Sequence, residues 1–441
     1  MPKTTCWGIL FSTGFHAKEK DSLQIGQFTD TFYPIVDGVG RVVYNYATHL
    51  PRLGHECYVI APMVNTGYRG GFPFDLVDFT GTSVPGSPQY KAGLAILDRH
   101  YHARIADVPL DVIHAHAPFS AGMEALRLTA KRDLPLVGSF HSKYYDDFYK
   151  ATGREALAHL GVKFVVEFYE RCDEVWAVSK SSAEVLRGYG YGGEIIVMEN
   201  GTELHPLDPE NAKRAAEHFS IPEGKPMLLY VGQMDWKKNI LHILEAGALL
   251  HQQGLPFTLV LAGQGADAEA IRKKADALSI GADTILTGHV SDAALLDGLY
   301  QRAELFVFPS LYDTFSLVLR EAAAVGTPAV VTRGGSPAEA IADGENGFLA
   351  EDTPEDLARI IQHALADPAA LRTVGEHAKE SIPIGWEKVI TCVAARYEAL
   401  IERSRKGELK RRHDALRGIL AERMREFQKQ YETLRDSSKK C

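Results

Sequence analysis

The chain is poor in cysteine. Its 441 residues hold five, Cys6, Cys57, Cys172, Cys392 and Cys441, scattered, odd in number and without a C-x-x-C spacing. That excludes a disulfide framework and a structural zinc site of the usual spacing, and points to a reducing compartment. Long apolar runs are missing too. None approaches the roughly 18–20 residues that cross a bilayer. The longest, Glu304–Leu311 and Ala322–Val331, are short, carry Pro or Gly, and read as buried strands and helices. The opening residues MPKTTCWGILFSTGFHAKEK contain a five-residue apolar run, shorter than the roughly 7–15 of a secretory signal. The expectation is a lead-in over 1–21 and a cytoplasmic protein. No Gly-x-Gly-x-x-Gly follows the first strand, which argues against a nicotinamide enzyme. Neither G-x-S-x-G nor a P-loop occurs.

Basic charge is also scarce over most of the chain. The net charge is −9, yet residues 402–441 hold 13 Lys/Arg against 7 Asp/Glu, so the preceding 401 residues carry −15. Such a body does not neutralise phosphate backbones, which excludes a general nucleic-acid binder.

What is present is alternation. Apolar strand-like runs at Leu23–Thr29, Glu56–Ala61, Val112–His116, Leu136–Phe140 and Glu174–Val178 alternate with helical stretches such as Gly40–Leu53. The pattern repeats at Met227–Val231, Thr258–Ala262, Thr284–Thr287, Leu305–Phe308 and Ala329–Thr332, with helices at Asn239–Gln253 and Asp267–Leu278 between them. Strands rich in Val, Ile, Leu and Phe, separated by helices, predict parallel sheets covered on both faces. The fold class is α/β, with the doubly wound architecture present twice. Turn formers in NGTELHPLDP (200–209) follow the strand-like Ile195–Met198 and mark the boundary. The expected divisions are 22–203, 204–384, an amphipathic helix over 385–401 returning to the first domain, and a basic helical tail over 402–441. Two such domains facing each other place a ligand at the carboxyl ends of their strands.

The segment Ser310–Gly326, SLYDTFSLVLREAAAVG, runs from a strand through a loop into a helix. Thr314, Phe315 and Ser316 stand at the helix start, where free backbone N–H groups suit an anion such as a diphosphate. Asp313 and Glu321 can accept hydrogen bonds from sugar hydroxyls. The same pattern also fits an ordinary capped helix with a surface charge. In Tyr230–Ile240, YVGQMDWKKNI, a strand ends at Gly232 and Lys238 precedes a helix, placing a cation near a phosphate or simply in solvent. In DTFYPIVDGV (30–39), Gly38 allows close backbone approach. His114 and His116, two apart at a strand end, share one face; with no Cys or carboxylate nearby in sequence they do not read as a metal site. His141 follows the next strand.

Ser310–Gly326 resembles the Ser-x-x-Glu-x-Phe-Gly-x-x-x-x-Glu-Ala-x-Ala-x-Gly-x-Pro signature of the family-four retaining glycosyltransferases, which have the GT-B fold of two facing Rossmann-like domains. The resemblance extends from about Leu23 to Ile401. It implies that Asp313, one methylene shorter than the usual Glu, lies by the donor sugar and that Glu321 binds the ribose hydroxyls. Ser316, where the family has Gly, would offer its amide to the phosphate together with Leu317 and Val318, beside Phe315. The family's Gly-Arg-x-x-x-x-Lys matches Gly232 and Lys238, with Gln233 in place of Arg, which leaves either weaker donor binding or a substitute cation such as Arg333. Gly38 matches the glycine loop, and the Asp-Thr-x-Tyr-Pro form around it is similar to the branch that glucosylates diacylglycerol. His141 matches the histidine beside the donor sugar, and His116 is an acceptor-side candidate. Gly288, His289 and Val290 resemble the backbone segment that pairs with the base, with Gly263–Gly265 lining the same side and Gly334–Gly335, followed by Glu339, forming another loop. The catalytic set so implied is His141, Lys238 and Asp313.

No Asp-x-Asp occurs, which argues against the metal-chelating motif of the other large glycosyltransferase fold; no metal and no resident cofactor are expected. The resemblance implies a reaction that moves a hexose, glucose from UDP-glucose by the family pattern, to a hydroxyl acceptor, lipid or soluble, with the anomeric configuration retained. Two rivals remain open: a non-catalytic sugar-nucleotide-binding or scaffold protein, and a sugar-nucleotide epimerase of the same fold. In the tail, Leu409, Leu416, Leu420, Phe427, Tyr431 and Leu434 recur at helical spacing among charges. That suits a solvated or partner helix, an oligomer contact, or a peripheral helix on the inner membrane face.

Overall fold

A computed structural model of the chain describes residues 22–32, 37–64, 71–84, 87–204 and 206–409. The lead-in and nearly all of the basic tail lie outside these residues, and with them the tail's lipid or oligomer contact.

Two sheets form. The first is built from β1 (Gln24–Phe28), β2 (Glu56–Met63), β3 (Asp75–Val84), β4 (Ser87–Gly93), β5 (Val112–Ala115), β6 (Leu136–Phe140), β7 (Glu174–Ala177) and β8 (Ile196–Val197), in the order β4-β3-β2-β1-β5-β6-β7-β8. The second holds β9 (Met227–Val231), β10 (Thr258–Ala262), β11 (Thr284–Gly288), β12 (Leu305–Phe308), β13 (Ala329–Thr332) and β14 (Phe348–Ala350), in the order β11-β10-β9-β12-β13-β14. Both are doubly wound, with the strand order reversing between β1 and β5 and between β9 and β12. Those switch points are where open α/β sheets leave a crevice for ligands.

Most strands read from the sequence have side chains buried on both faces, as β6 and β12 do, whereas β11 at the sheet edge is only half-buried. Strands β3, β4 and β14 were not among them. β3 and β4 form an antiparallel edge hairpin with Gly81 opposite Gly93. The half of β3 beyond Phe79 is largely exposed, and β4, SPQYKAG, has the composition of a loop. Edge strands need no continuous apolar run, so hydrophobicity does not mark them. The stretch expected as one helix over Gly40–Leu53 is an α-helix at Gly38–His49 followed by a 3-10 turn at Leu50–Leu53 containing Pro51.

The second sheet has one large core cluster. In the first domain Phe28, Ile60, Ile113 and Phe140 belong to one layer and Ile25, Val59, Val112 and Val137 to another, as alternation across a strand requires. The second of these layers includes Val389, Ile390, Val393, Tyr397 and Leu400 from the helix Trp386–Arg405, which follows the second domain in sequence but packs on the first. Its apolar stripe recurs every three or four residues. Trp386 lies against Gly201, where a Cβ would collide with the indole ring. Thr202 N donates to Ile384 O at 2.7 Å, so the two crossings between domains run side by side.

Candidate active site

At the carboxyl end of the second sheet, three glycines are brought together. Gly232 N donates to Ala262 O at 3.0 Å and Gly263 N to Gly288 O at 2.9 Å. Gly263 has φ +146, and a Cβ there would run into the Gly232 carbonyl. The row leaves bare backbone beside the β9–β12 switch point. His289 is exposed and Val290 half-buried against the core.

Lys238 ends a 3-10 turn, Trp236–Lys238, whose start is capped by Asp235. Asn239, left-handed at φ 62, donates to Pro309 O and Asp352, tying this loop to the one after β12. Lys238 Nζ then meets Asp313 Oδ2 at 2.8 Å. Beyond Asp313 the helix Leu317–Ala324 begins at Ser316, whose side chain makes no capping bond. The first amides, Leu317 and Val318 among them, are thus left uncapped by it at the positive end of the helix dipole. Phe315 is buried with the Arg320 guanidinium 3.6 Å over its ring, so any contribution it makes to a ligand is through its backbone. Glu321 accepts from Tyr300 OH at 3.0 Å and from Arg41 Nη2 at 2.7 Å.

Arg41 comes from the other domain, on the helix that Gly38 starts. Among the described residues, an added Cβ at Gly38 would meet nothing within 4 Å. The other arm of the cleft is the segment after β6. His141 O accepts from Thr314 Oγ1 at 2.8 Å, and Lys143 Nζ donates to Leu311 O at 2.7 Å. Tyr312 OH donates to Asp147 at 2.8 Å, and Ser179 Oγ to Thr314 O at 2.6 Å. Glu339 accepts from the amides of Lys180 and Ser181, capping a helix of the opposite domain. The sequence-predicted residues His141, Lys238, Asp313, Ser316–Val318 and Glu321 thus line two walls that touch through the Leu311–Thr314 loop. His116 does not reach the acceptor side: it is wholly buried, with its ring nitrogens on Gln27 and His141. Arg333 is not free to replace the missing Arg, being paired with Asp343 and, at 3.1 Å, with Glu351.

Several cleft residues escaped the sequence reading. Arg41 sits in the first turn of the helix Gly38–His49 and Tyr300 on the helix Ala293–Arg302, so only the fold brings them to Glu321. Lys143, two residues beyond His141, could have been noticed as a cation following the site histidine. Among the described residues no group of three or more His, Cys, Asp or Glu side chains is placed to hold a metal ion.

Burial sets the protonation here. The Glu321 carboxylate raises the Arg41 pKa, and burial lowers that of Lys143. Burial pushes His141 down to about 4, and carries His114 and His116 well below the ordinary imidazole value. Each unfolded histidine gains its proton near 6.5, so their contribution to stability is complete above that pH and is lost as pH falls through the folded values. Asp30, raised to about 7 by burial, works the other way, gaining stability as pH falls from about 7 to 4. With three such histidines against Asp30, stability is expected to decline as pH falls below about 6.5. Urea midpoints from pH 7 to 5 check this, and a flat series would refute the burial of neutral histidines.

Two family models match the chain: Glycosyltransferase Family 4 over residues 36–205 and Glycosyl transferases group 1 over residues 212–381. The chain belongs to the family-four glycosyltransferases of the GT-B fold. This glycosyltransferase is 24% identical to the alpha-monoglucosyldiacylglycerol synthase of Acholeplasma laidlawii, over 87% of this chain and 99% of that one. Among solved structures, sucrose-phosphate synthase from Thermosynechococcus elongatus superposes with a TM-score of 0.69 at 21% identity, covering 86% of this chain and 99% of the other. Anabaena Alr3699/HepE in complex with UDP-glucose superposes with a TM-score of 0.66 at 18% identity, covering 85% and 99%.

One departure of this glycosyltransferase from the family signature has a backbone consequence. Ser316 stands where the family has Gly and adopts φ +57, and its hydroxyl is buried without a partner among the described residues. The left-handed conformation costs a residue with a Cβ about 1–2 kcal/mol, partly offset by glycine's greater unfolded freedom. Ser316→Gly is therefore expected to stabilise by about 1 kcal/mol, read as a higher urea midpoint; an unchanged or lower midpoint would refute the strain.

Proposed function

We propose that this glycosyltransferase moves glucose from UDP-glucose to a hydroxyl acceptor on a lipid, such as diacylglycerol, with retention of the anomeric configuration. The observation that carries the reading is the Lys238–Asp313 pair, 2.8 Å apart beside the helix start at Leu317, opposite His141 on the facing wall. A diphosphate seated there would have Lys238 and the amides of Leu317 and Val318 against its charge, with Asp313 and His141 toward the sugar. Glu321 would exchange Arg41 for the ribose hydroxyls, and the glycine row of Gly232, Gly263 and Gly288, with His289 and Val290, would receive the base. In transfer, the bond from sugar C1 to the phosphate oxygen breaks as the acceptor oxygen bonds C1 from the same face. The acceptor's proton passes to the departing phosphate. The protein's part is positioning and stabilisation of the leaving charge. The named relative, a synthase of a glucosylated diacylglycerol, and the UDP-glucose complex of a structural neighbour support the choice of acceptor and donor.

No helix among the described residues is long and apolar enough to cross a membrane, and a lipid acceptor would be met at the inner membrane surface by a peripheral protein. The test is incubation of the purified chain with UDP-glucose, UDP-galactose or GDP-mannose, presented with diacylglycerol vesicles or soluble sugars. Products are read by mass spectrometry and the new linkage by proton NMR. An α-glucosyl lipid is the expected product. A β-linkage, or transfer only to soluble acceptors, would overturn the reading.

A further inference from the structure

We infer that His141 meets the donor sugar with an unprotonated Nδ1, and that Gln27, His116 and Tyr397 are positioning residues that hold it in that tautomer. The inference rests on the placement of His141 beside the donor sugar proposed above.

The groups form one buried file. Gln27 Nε2 donates to Tyr397 OH at 3.1 Å, and Tyr397 OH lies 2.5 Å from His114 Nδ1. His114 Nε2 lies 2.7 Å from Ser139 Oγ. In the other direction, Gln27 Oε1 lies 2.7 Å from His116 Nε2, and His116 Nδ1 lies 3.1 Å from His141 Nε2. Gln27, His114, His116 and Tyr397 are fully buried and His141 nearly so, and burial keeps the three imidazoles neutral.

A neutral imidazole has one N–H and one lone pair. The Gln27 carbonyl can only accept, so the His116 proton is on Nε2 and its lone pair is on Nδ1. That lone pair must receive a proton from His141 Nε2. His141 is thereby left with its lone pair on Nδ1, which has no partner among the described residues. The other end of the file follows from the same Gln27 orientation. Because Tyr397 O takes the Gln27 N–H, the tyrosine's proton points to His114 Nδ1, and His114 passes its own to Ser139. All these directions agree. Reversing the Gln27 amide would reverse His116 and turn His141 Nδ1 into a donor. Tyr397 belongs to the helix Trp386–Arg405, so the returning helix has a chemical role besides packing. An accepting Nδ1 suits a sugar hydroxyl and offers nothing to a deoxy or acceptor-only group at that position.

The experiment uses the full chain labelled with 15N-histidine, the His141 signals being identified by their loss in His141→Asn. The expected wild-type spectrum shows His141 with an unprotonated Nδ1 and a protonated Nε2. Gln27→Leu removes both amide groups, and Tyr397→Phe, a gentler change should the first not fold, removes only the hydroxyl that orients the amide. Either is expected to move His141 toward a mixture of tautomers, with kcat/KM for UDP-glucose falling about tenfold, the scale of one lost neutral hydrogen bond. A protonated Nδ1 in the wild type overturns the inference. So does an unchanged His141 tautomer in the variants. A tautomer that shifts while kcat/KM stays at the wild-type value leaves the file standing and sinks the placement of His141 at the sugar.

Discussion

Lys238→Ala is expected to lower turnover of UDP-glucose by roughly a hundredfold or more, the usual consequence of removing a preorganised charge from a developing anion. In the proposed reaction the diphosphate gains charge as the C1–O bond breaks, and Gln233, where the family pattern has Arg, supplies none. Arg333 is held by Asp343 and Glu351. Lys143, another cation near Asp313, donates its ammonium to the Leu311 carbonyl, and burial disfavours its charge. Lys238 therefore carries more of the stabilisation than in a chain with both cations. Its removal also releases Asp313, leaving a carboxylate near the phosphate with no cation 2.8 Å away. Single-turnover kinetics with saturating donor give the measurement. Turnover and KM both equal to the parent's would refute the phosphate role, whereas a raised KM with unchanged kcat would assign Lys238 to binding that is equal in the ground and transition states.

The second large effect concerns Glu321. Its carboxylate holds the Arg41 guanidinium at 2.7 Å and the Tyr300 hydroxyl at 3.0 Å. If ribose hydroxyls take the place of Arg41, each forms a charge-assisted hydrogen bond of about 1.5–3 kcal/mol. Glu321→Ala is then expected to weaken UDP binding by roughly a hundredfold, measured by calorimetry, and unchanged affinity would sink the assignment. The variant also strands the buried Tyr300 hydroxyl, so Glu321→Gln, which can still accept from it, separates lost ribose contacts from lost stability. Arg41→Ala is expected to act in the opposite sense. Removing the competing guanidinium should tighten UDP a few-fold, because half of that side chain is exposed and its pairing with Glu321 is worth about 1 kcal/mol at most. Weaker binding in Arg41→Ala would mean that Arg41 itself contacts the nucleotide.

The legible part of the chain was the part whose physics is local. Continuous apolar strands such as Leu136–Phe140 and Leu305–Phe308 announce a buried parallel sheet because both faces are covered. Gly263 and Ser316 mark backbone demands that the neighbouring residues set. The hairpin β3–β4 was not legible, since an edge strand half in solvent carries no such pattern. Nor was the fate of His116: two histidines at period two share a face, but nothing in the spacing says whether that face meets a ligand or another layer of protein. Packing of Trp386–Arg405 over it decides the matter.

The sequence by itself determined the α/β class, the two-domain plan and the family motifs, because periodicity and turn chemistry act over a few residues. The tertiary structure alone decided which groups meet: across the cleft, Arg41 with Glu321 over 280 positions and Lys143 with Leu311 over 168, and inside the first domain, Tyr397 with Gln27 over 370. Hydrogen bonds reach only about 3 Å, so such partners are fixed by how the strands are ordered and where the last helix returns, neither of which any short stretch of sequence encodes.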